Sequence, residues 1–120
     1  MDDWKLGAVE SRFADLIWEN APLPSGELVV LAQKALNWKK STTYTVLRKL
    51  CERGIFENSD GMVKARIGRD EFYARQSEAV VEENFQGSLP AFIAAFTSRK
   101  SLSKQEISEI RKMISDFEEE

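Results

Sequence analysis

Histidine is absent from the 120-residue sequence, and cysteine occurs once, at position 51. A thiolate–imidazole catalytic pair is therefore excluded, and a zinc site would have to be built mostly from carboxylates. We expect neither a cofactor nor a bound metal. A single cysteine also excludes an internal disulfide, which agrees with a cytoplasmic location.

Long apolar runs are missing as well. The longest stretch without a formal charge, residues 84–98, is too short and too polar to span a bilayer. The N-terminus begins with two acids, where a secretory signal would carry basic residues followed by an apolar core. We therefore expect a cytoplasmic protein without a membrane segment.

Recognisable catalytic arrangements are also lacking. The carboxylates are scattered along solvent-facing helical positions, and no nucleophile–base pair or phosphate-binding glycine loop is present in the sequence. An enzyme is therefore the least supported class. The length suits one ordinary domain, or a small domain with a helical arm, and a partner copy would add to the limited surface that such a chain buries.

The spacing of apolar residues predicts three helices in the first half of the chain, over residues 6–18, 25–36 and 41–54. Prolines end the first helix. We expect the hydroxyls of Ser25 and Ser41 to cap the second and third helices, because serine commonly accepts hydrogen bonds from the free amides of a first turn.

A β-hairpin is predicted directly after the third helix. Asp60-Gly61 separates two partly alternating runs, residues 55–58 and 62–67, and this dipeptide favours a two-residue hairpin turn. Three helices followed by a two-stranded ribbon make a winged helix-turn-helix, and we assign it to residues 1–68. The fold class is thus mostly α.

Residues 69–120 are predicted to form a helical dimerisation arm. They contain about three helices whose apolar stripes have little globular mass to bury them, and the last helix begins with a capping box at Ser103 and Glu106. As an alternative, this arm folds back onto its own winged domain. The side chains expected in the dimer interface are Leu89, Phe92, Ile93, Phe96, Ile107, Ile110, Ile114 and Phe117.

Positive charge is concentrated around the third helix. Residues 37–54 hold five cations and one anion, whereas the whole chain has a net charge of −3. A DNA duplex attracts such a patch, and a helix fits the major groove. The candidate DNA contacts are Lys39, Lys40, Thr42, Thr43, Thr45, Arg48 and Lys49 on the third helix, with Lys64 and Arg66 on the wing.

Purely structural interpretations exist for each of these residues. The cations also fit an ordinary solvated helix face, and the threonines could serve the helix start or fill space. Trp38 is better explained as a packing anchor than as a base-stacking residue, and Cys51 as a small buried apolar residue rather than a redox sensor. The position of the patch on the third helix of a winged array favours DNA.

Three stretches together resemble the BlaI/MecI-type penicillinase repressors and, more distantly, the copper-responsive repressors related to them. "LIWENAPLPSGEL" is similar to the family's first helix and the turn into the second. "NWKKSTTYTVLRKLCERG" is similar to its recognition helix, and "GSLPAFIAAFTSRKSLSKQEISEIRKMI" to its dimerisation helices. The resemblance implies a homodimeric winged-helix repressor that binds a palindromic operator.

The family's functional residues carry over unevenly. Thr42 and Thr45 fall on recognition-helix positions of the same residue type in the family, and Lys49 falls where the family often has a basic residue. Arg48 takes a position that is commonly aliphatic, so its assignment rests on charge. The wing tip, residues 57–61, carries acids where family wings often carry arginines.

Regulation also departs from the family's pattern. The resemblance implies an inactivating protease as a partner, but Ala95-Phe96 stands where penicillinase repressors have a cleaved Asn-Phe bond. The cysteine metal site of the copper-responsive relatives is missing from the acidic C-terminus. A second class of function, a winged-helix protein-interaction module that no longer reads DNA, is consistent with the acidic wing tip.

Overall fold

The computed structural model describes residues 5–119, which divide into two compact units between Ala79 and Val80. Within the described part the chain forms six helices and three short strands. The helices are α1 Ala8–Asn20, α2 Ser25–Leu36, α3 Lys40–Glu52, α4 Arg69–Phe85, α5 Leu89–Thr97 and α6 Lys104–Glu118, and the strands are β1 Leu23–Pro24, β2 Phe56–Ser59 and β3 Met62–Ala65.

The starts of α2 and α3 differ from the predicted caps. Pro24 is the N-cap of α2 and Lys39 that of α3, and neither helix has a side-chain cap hydrogen bond. Ser25 and Ser41 are instead helical residues, one and two positions after their respective N-caps. The predicted hydroxyl caps are therefore wrong, and both serine side chains are released for other contacts.

The sheet has one strand more than predicted, with the antiparallel order β1-β3-β2. Asp60 and Gly61 form the hairpin turn with φ values of 53° and 79°, the positive angles that a two-residue hairpin turn requires. The predicted hairpin is confirmed. The additional strand β1 pairs Leu23 with Val63 and Pro24 with Met62, and two residues, one of them a proline, are too few for a recognisable alternation.

A single apolar core joins α1, α2, α3, the hairpin and the first turn of α4. The indole of Trp18 contacts the rings of Phe56, Phe72 and Tyr73, and its Nε1 donates to the carbonyl of Ile67 at 3.0 Å. The largest fully buried side chains are Phe13, Phe56, Phe72, Ile17, Leu28, Leu47, Leu50, Ile55, Val63 and Thr43. This arrangement is a winged helix-turn-helix.

The first of the two units, which ends at Ala79, is called the winged unit below, and the start of α4 belongs to it. Phe72 is fully buried in the core, and the guanidinium of Arg69 lies 3.2 Å from the carboxylate of Asp15 on α1. The two units consequently divide eleven residues after the predicted boundary at Gly68.

The second unit contains α5 and α6, and both helices begin as their sequences indicate. Ser88 Oγ accepts from the amide of Ala91, and Ser103 and Glu106 form the predicted capping box at α6. No side chain is fully buried among the described residues 80–119. No helix in the described part of the chain has the length and hydropathy needed to cross a membrane.

Candidate nucleic-acid interface

The exposed face of α3 is polar, and its opposite face packs into the core. Thr43, Leu47 and Leu50 are buried at helical spacing and hold the helix against the rest of the winged unit. The exposed side chains on the other face are Ser41, Thr42, Thr45, Arg48, Lys49 and Glu52. Except for Glu52, these are neutral hydroxyls or cations, which suits a surface that meets DNA.

Thr43 is the predicted contact that the structure contradicts. Its side chain is 0% exposed, and its Oγ1 donates to the carbonyl of Lys39 at 3.1 Å. Position 43 lies four and seven residues before Leu47 and Leu50, so it completes the apolar stripe of the helix. The prediction that Thr43 contacts DNA is therefore wrong, because this side chain faces the core.

Ser41, predicted to cap α3 and not to contact DNA, lies on the exposed face of this helix. It is exposed within the first turn of α3, four residues before Thr45 and seven before Arg48. This spacing places the three side chains on one stripe of the helix. Because the sequence predicts a capping role for Ser41, this residue is not among the predicted DNA contacts, although its spacing from Thr45 and Arg48 is present in the sequence.

The N-terminal end of α3 is unusually basic. Lys39 and Lys40 are exposed there, and the first turn contains no acid, whereas α1, α2, α4 and α6 each begin with at least one. Cations at this end oppose the helix dipole and slightly destabilise an isolated helix. The same combination of cations, free amides and positive dipole is favourable for binding a phosphate.

A shallow recess separates α3 from strand β2, lined by Tyr44, Leu47, Arg48, Cys51 and Asn58. Burial raises the pKa of the Cys51 thiol, and the carboxylates of Glu57 and Glu52 raise this pKa further. The thiol therefore stays protonated at neutral pH, which agrees with a packing role rather than a reactive one.

The wing presents two cations beside two acids. Lys64 and Arg66, the two DNA contacts predicted for the wing, are both exposed. Glu57 lies directly opposite Lys64 in the ladder between β2 and β3, and Asp60 occupies the turn. Opposite charges at paired positions attract each other, which offsets part of the attraction of Lys64 for phosphate.

Trp38 acts in packing. Its ring lies 4.9 Å from that of Phe13, centroid to centroid, and the side chain packs against the core as it enters α3. The packing interpretation of Trp38 is confirmed.

Most of the apolar side chains assigned to the arm interface are exposed in the single chain. Ile114 and Phe117 are 54% and 75% exposed, and Met113 adds a further apolar side chain to α6 at 60%. Phe92 is half-buried, since its ring packs edge-on against Phe85 at 5.5 Å. The remaining predicted residues are exposed at Leu89, Ile93, Phe96 and Ile107, and half-buried at Ile110.

Acidic side chains do not gather into a metal site in the part of the chain that the structure describes. No group of three or more cysteine, aspartate or glutamate side chains is placed there to hold an ion. Within the winged unit, the exposed, cation-rich face of α3 is therefore the candidate binding surface.

Comparison with known proteins agrees with the fold. A family model described as penicillinase repressor matches residues 6–116. The chain is also 20% identical over 116 residues to the penicillinase repressor of Bacillus licheniformis, a match that covers 93% of this chain and 91% of that protein. The chain therefore belongs to the penicillinase repressor family, whose members are DNA-binding transcriptional repressors.

Proposed function

We propose that this protein is a cytoplasmic homodimer that represses transcription by placing α3 in the major groove of a palindromic operator. The observation that carries the proposal is the exposed face of α3, which combines hydroxyls and cations in a protein of net charge −3. Major-groove base edges offer the donors and acceptors that such side chains bind.

Two roles are distributed along α3. Lys39 and Lys40, at the N-terminal end, are placed to bind backbone phosphate. Ser41, Thr42, Thr45, Arg48 and Lys49 lie along the exposed face, where arginine and lysine favour guanine and hydroxyls accept several bases. Thr43 has no role in this contact set, since it is buried.

The wing makes a smaller contribution in this proposal. Lys64 is paired with Glu57 in the strand ladder, whereas Arg66 follows the last ladder pair, Phe56 with Ala65. Asp60 at the turn is repelled by phosphate, so the wing tip stays outside the closest approach to the duplex.

A second copy of the chain provides the symmetry that a palindrome requires. The exposed apolar side chains of α5 and α6 are the proposed interface. In a two-fold dimer the two recognition helices enter major grooves about 34 Å apart, or a multiple of that distance, which sets the half-site spacing.

An inactivating protease is not part of the proposed function. Ala95 and Phe96 lie inside helix α5, where the carbonyl of Phe96 accepts the amide of Lys100 at 3.0 Å. Cleavage at this bond would first require local unfolding of the helix end.

The direct test is a fluorescence titration of the protein with promoter DNA from beside its own gene. We expect Arg48→Ala with Lys49→Ala to weaken binding and to lower the slope of log affinity against log salt by up to about two, because each cation brought into the groove displaces about one condensed counterion. A slope equal to that of the wild type would remove these two residues from the interface.

Arg99 and Lys100 provide a matched control. They are also an adjacent, exposed arginine and lysine, but they follow α5 and lie outside the winged unit. We expect Arg99→Ala with Lys100→Ala to leave the salt slope unchanged. An equal fall in slope for both double variants would mean that total charge, rather than α3, governs binding.

A further inference from the structure

Ser25, the first residue of α2, connects this helix to the turn of the wing and to α3. Its backbone amide donates to the carbonyl of Gly61, in the turn of the wing, at 2.8 Å. Its hydroxyl forms a hydrogen bond of 2.9 Å with the phenol of Tyr44 on α3. Since Ser25 is the first residue of α2, both bonds converge where that helix begins.

The two bonds use groups that α2 does not need for itself. The amide of a first helical residue has no partner within the helix, so the Gly61 carbonyl satisfies a group that is otherwise unpaired. Because Pro24 rather than Ser25 is the N-cap, the Ser25 hydroxyl is also free to reach across to α3. The junction is part-buried, which limits competition from water.

Neighbouring contacts connect the junction to the DNA-facing side chains. Tyr44 and Arg48 are one helical turn apart on α3, and both line the recess beside Asn58 of the wing. Strand pairing of Pro24 with Met62 holds the wing against the segment that leads into Ser25. The position of the wing relative to Arg48 is thus coupled to the Ser25 junction.

We propose that Ser25 and Tyr44 are positioning residues that fix the wing relative to the recognition helix, and that they thereby set selectivity for the operator sequence. The inference rests on the proposed function. Selective binding requires side chains to reach particular base edges, whereas phosphate attraction tolerates small displacements. Loss of the junction therefore reduces operator binding more than it reduces binding to unrelated DNA.

The test uses Tyr44→Phe, which removes the phenolic hydroxyl alone, and Ser25→Ala, which removes the other partner. Affinities are measured for the operator and for a random duplex of the same length, together with the thermal midpoint. We expect each variant to lose about fivefold in operator affinity, the scale of one neutral hydrogen bond, with random-duplex affinity unchanged within about twofold. The salt slope stays the same, because no cation is lost.

The double variant and a tyrosine control make the result specific. If the shared bond is responsible, Tyr44→Phe with Ser25→Ala loses no more than either single variant. Tyr73→Phe removes the hydroxyl of the other tyrosine, which packs against Trp18, and should leave the selectivity unchanged. Additive losses, equal losses on both duplexes, or wild-type selectivity in both single variants would overturn the proposal.

A measurement without DNA separates this inference from the proposed function. In the free protein, Tyr44→Phe should speed hydrogen exchange at the Ser25 amide several-fold, because the junction that protects this amide is weakened. Unchanged exchange overturns the positioning role. A wild-type protein that binds operator and random DNA equally would instead overturn the proposed function, and with it the link to selectivity.

Discussion

Side-chain direction separates three threonines that lie close together in the recognition helix. Thr42 and Thr45 are exposed, whereas Thr43 is fully buried and its hydroxyl is bonded to a backbone carbonyl four residues earlier. The amide of Thr43 donates to the same carbonyl, of Lys39, at 3.0 Å. The hydroxyl of Thr43 therefore duplicates a bond that the backbone already makes.

Replacing Thr43 should accordingly affect operator binding much less than replacing Thr45. We expect Thr43→Val to keep the operator affinity within about twofold and to change the free energy of unfolding by less than about 1 kcal/mol, since the Lys39 carbonyl keeps a partner. Thr45→Ala should weaken operator binding several-fold without affecting stability. Titration and urea unfolding of both variants check this, and a larger affinity loss for Thr43→Val would contradict the assignment.

The thiol of Cys51 offers a second check at the residue scale. Its pKa is raised by burial and by two nearby carboxylates, so the thiolate fraction at a given pH is lower than in an unfolded chain. We expect iodoacetamide to alkylate the native protein more slowly than the urea-unfolded protein, with the rate rising at higher pH. Glu57→Gln should move that rise to lower pH. Native alkylation as fast as that of the unfolded chain would contradict the burial of this thiol.

At the scale of elements, the wing turn depends on backbone geometry at one glycine. Gly61 has a φ of 79°, which strains any residue with a Cβ, and its carbonyl also accepts from Ser25. Gly26 provides the contrast. It lies within α2 without a positive φ, and an added Cβ would meet nothing within 4 Å.

Alanine at these two glycines should have opposite effects on stability. We expect Gly61→Ala to lower the free energy of unfolding by about 1 kcal/mol or more, and Gly26→Ala to raise it by about 0.4–1 kcal/mol by restricting the unfolded chain. Urea unfolding of the two variants gives both values. A shift of the same sign in both would show that the turn geometry is not what makes Gly61 necessary.

Helix ends in this chain illustrate the limits of capping rules. The capping box at Ser103 and Glu106 forms as its sequence indicates, because both partners lie within four residues. Ser25 and Ser41 lack a Glu or Gln three residues later and match only the simpler preference for serine at a helix start, and α2 and α3 begin without a side-chain cap. In α2 the hydroxyl of Ser25 is hydrogen-bonded to Tyr44 on another helix, and a rule based on neighbouring residues cannot predict such a contact.

At the scale of the whole molecule, the apolar stripe of α6 is left uncovered by the part of the chain that the structure describes. Ile107, Ile114 and Phe117 are exposed at helical spacing, and α5 presents further apolar side chains. Exposed apolar surface of this kind marks an interaction site. The proposed occupant is the same surface of a second copy.

Substituting a charge into this surface tests the dimer. We expect Ile114→Glu to convert a dimer to a monomer at micromolar concentration, because a carboxylate buried without a partner is strongly unfavourable. Operator binding should weaken with it. Ser108→Glu, on the polar side of α6, is the matched control and should stay dimeric. Sedimentation equilibrium decides, and a wild-type monomer would refute dimerisation.

The sequence by itself determined the helices, the hairpin turn at Asp60-Gly61 and the concentration of cations near α3, because periodicity, turn chemistry and charge are properties of neighbouring residues. Only the tertiary structure decided that Thr43 turns inward, that β1 joins the wing and that Ser25 meets Tyr44. The physical reason is that these contacts depend on which distant segments come together when the core closes around Phe13, Leu50 and Phe72.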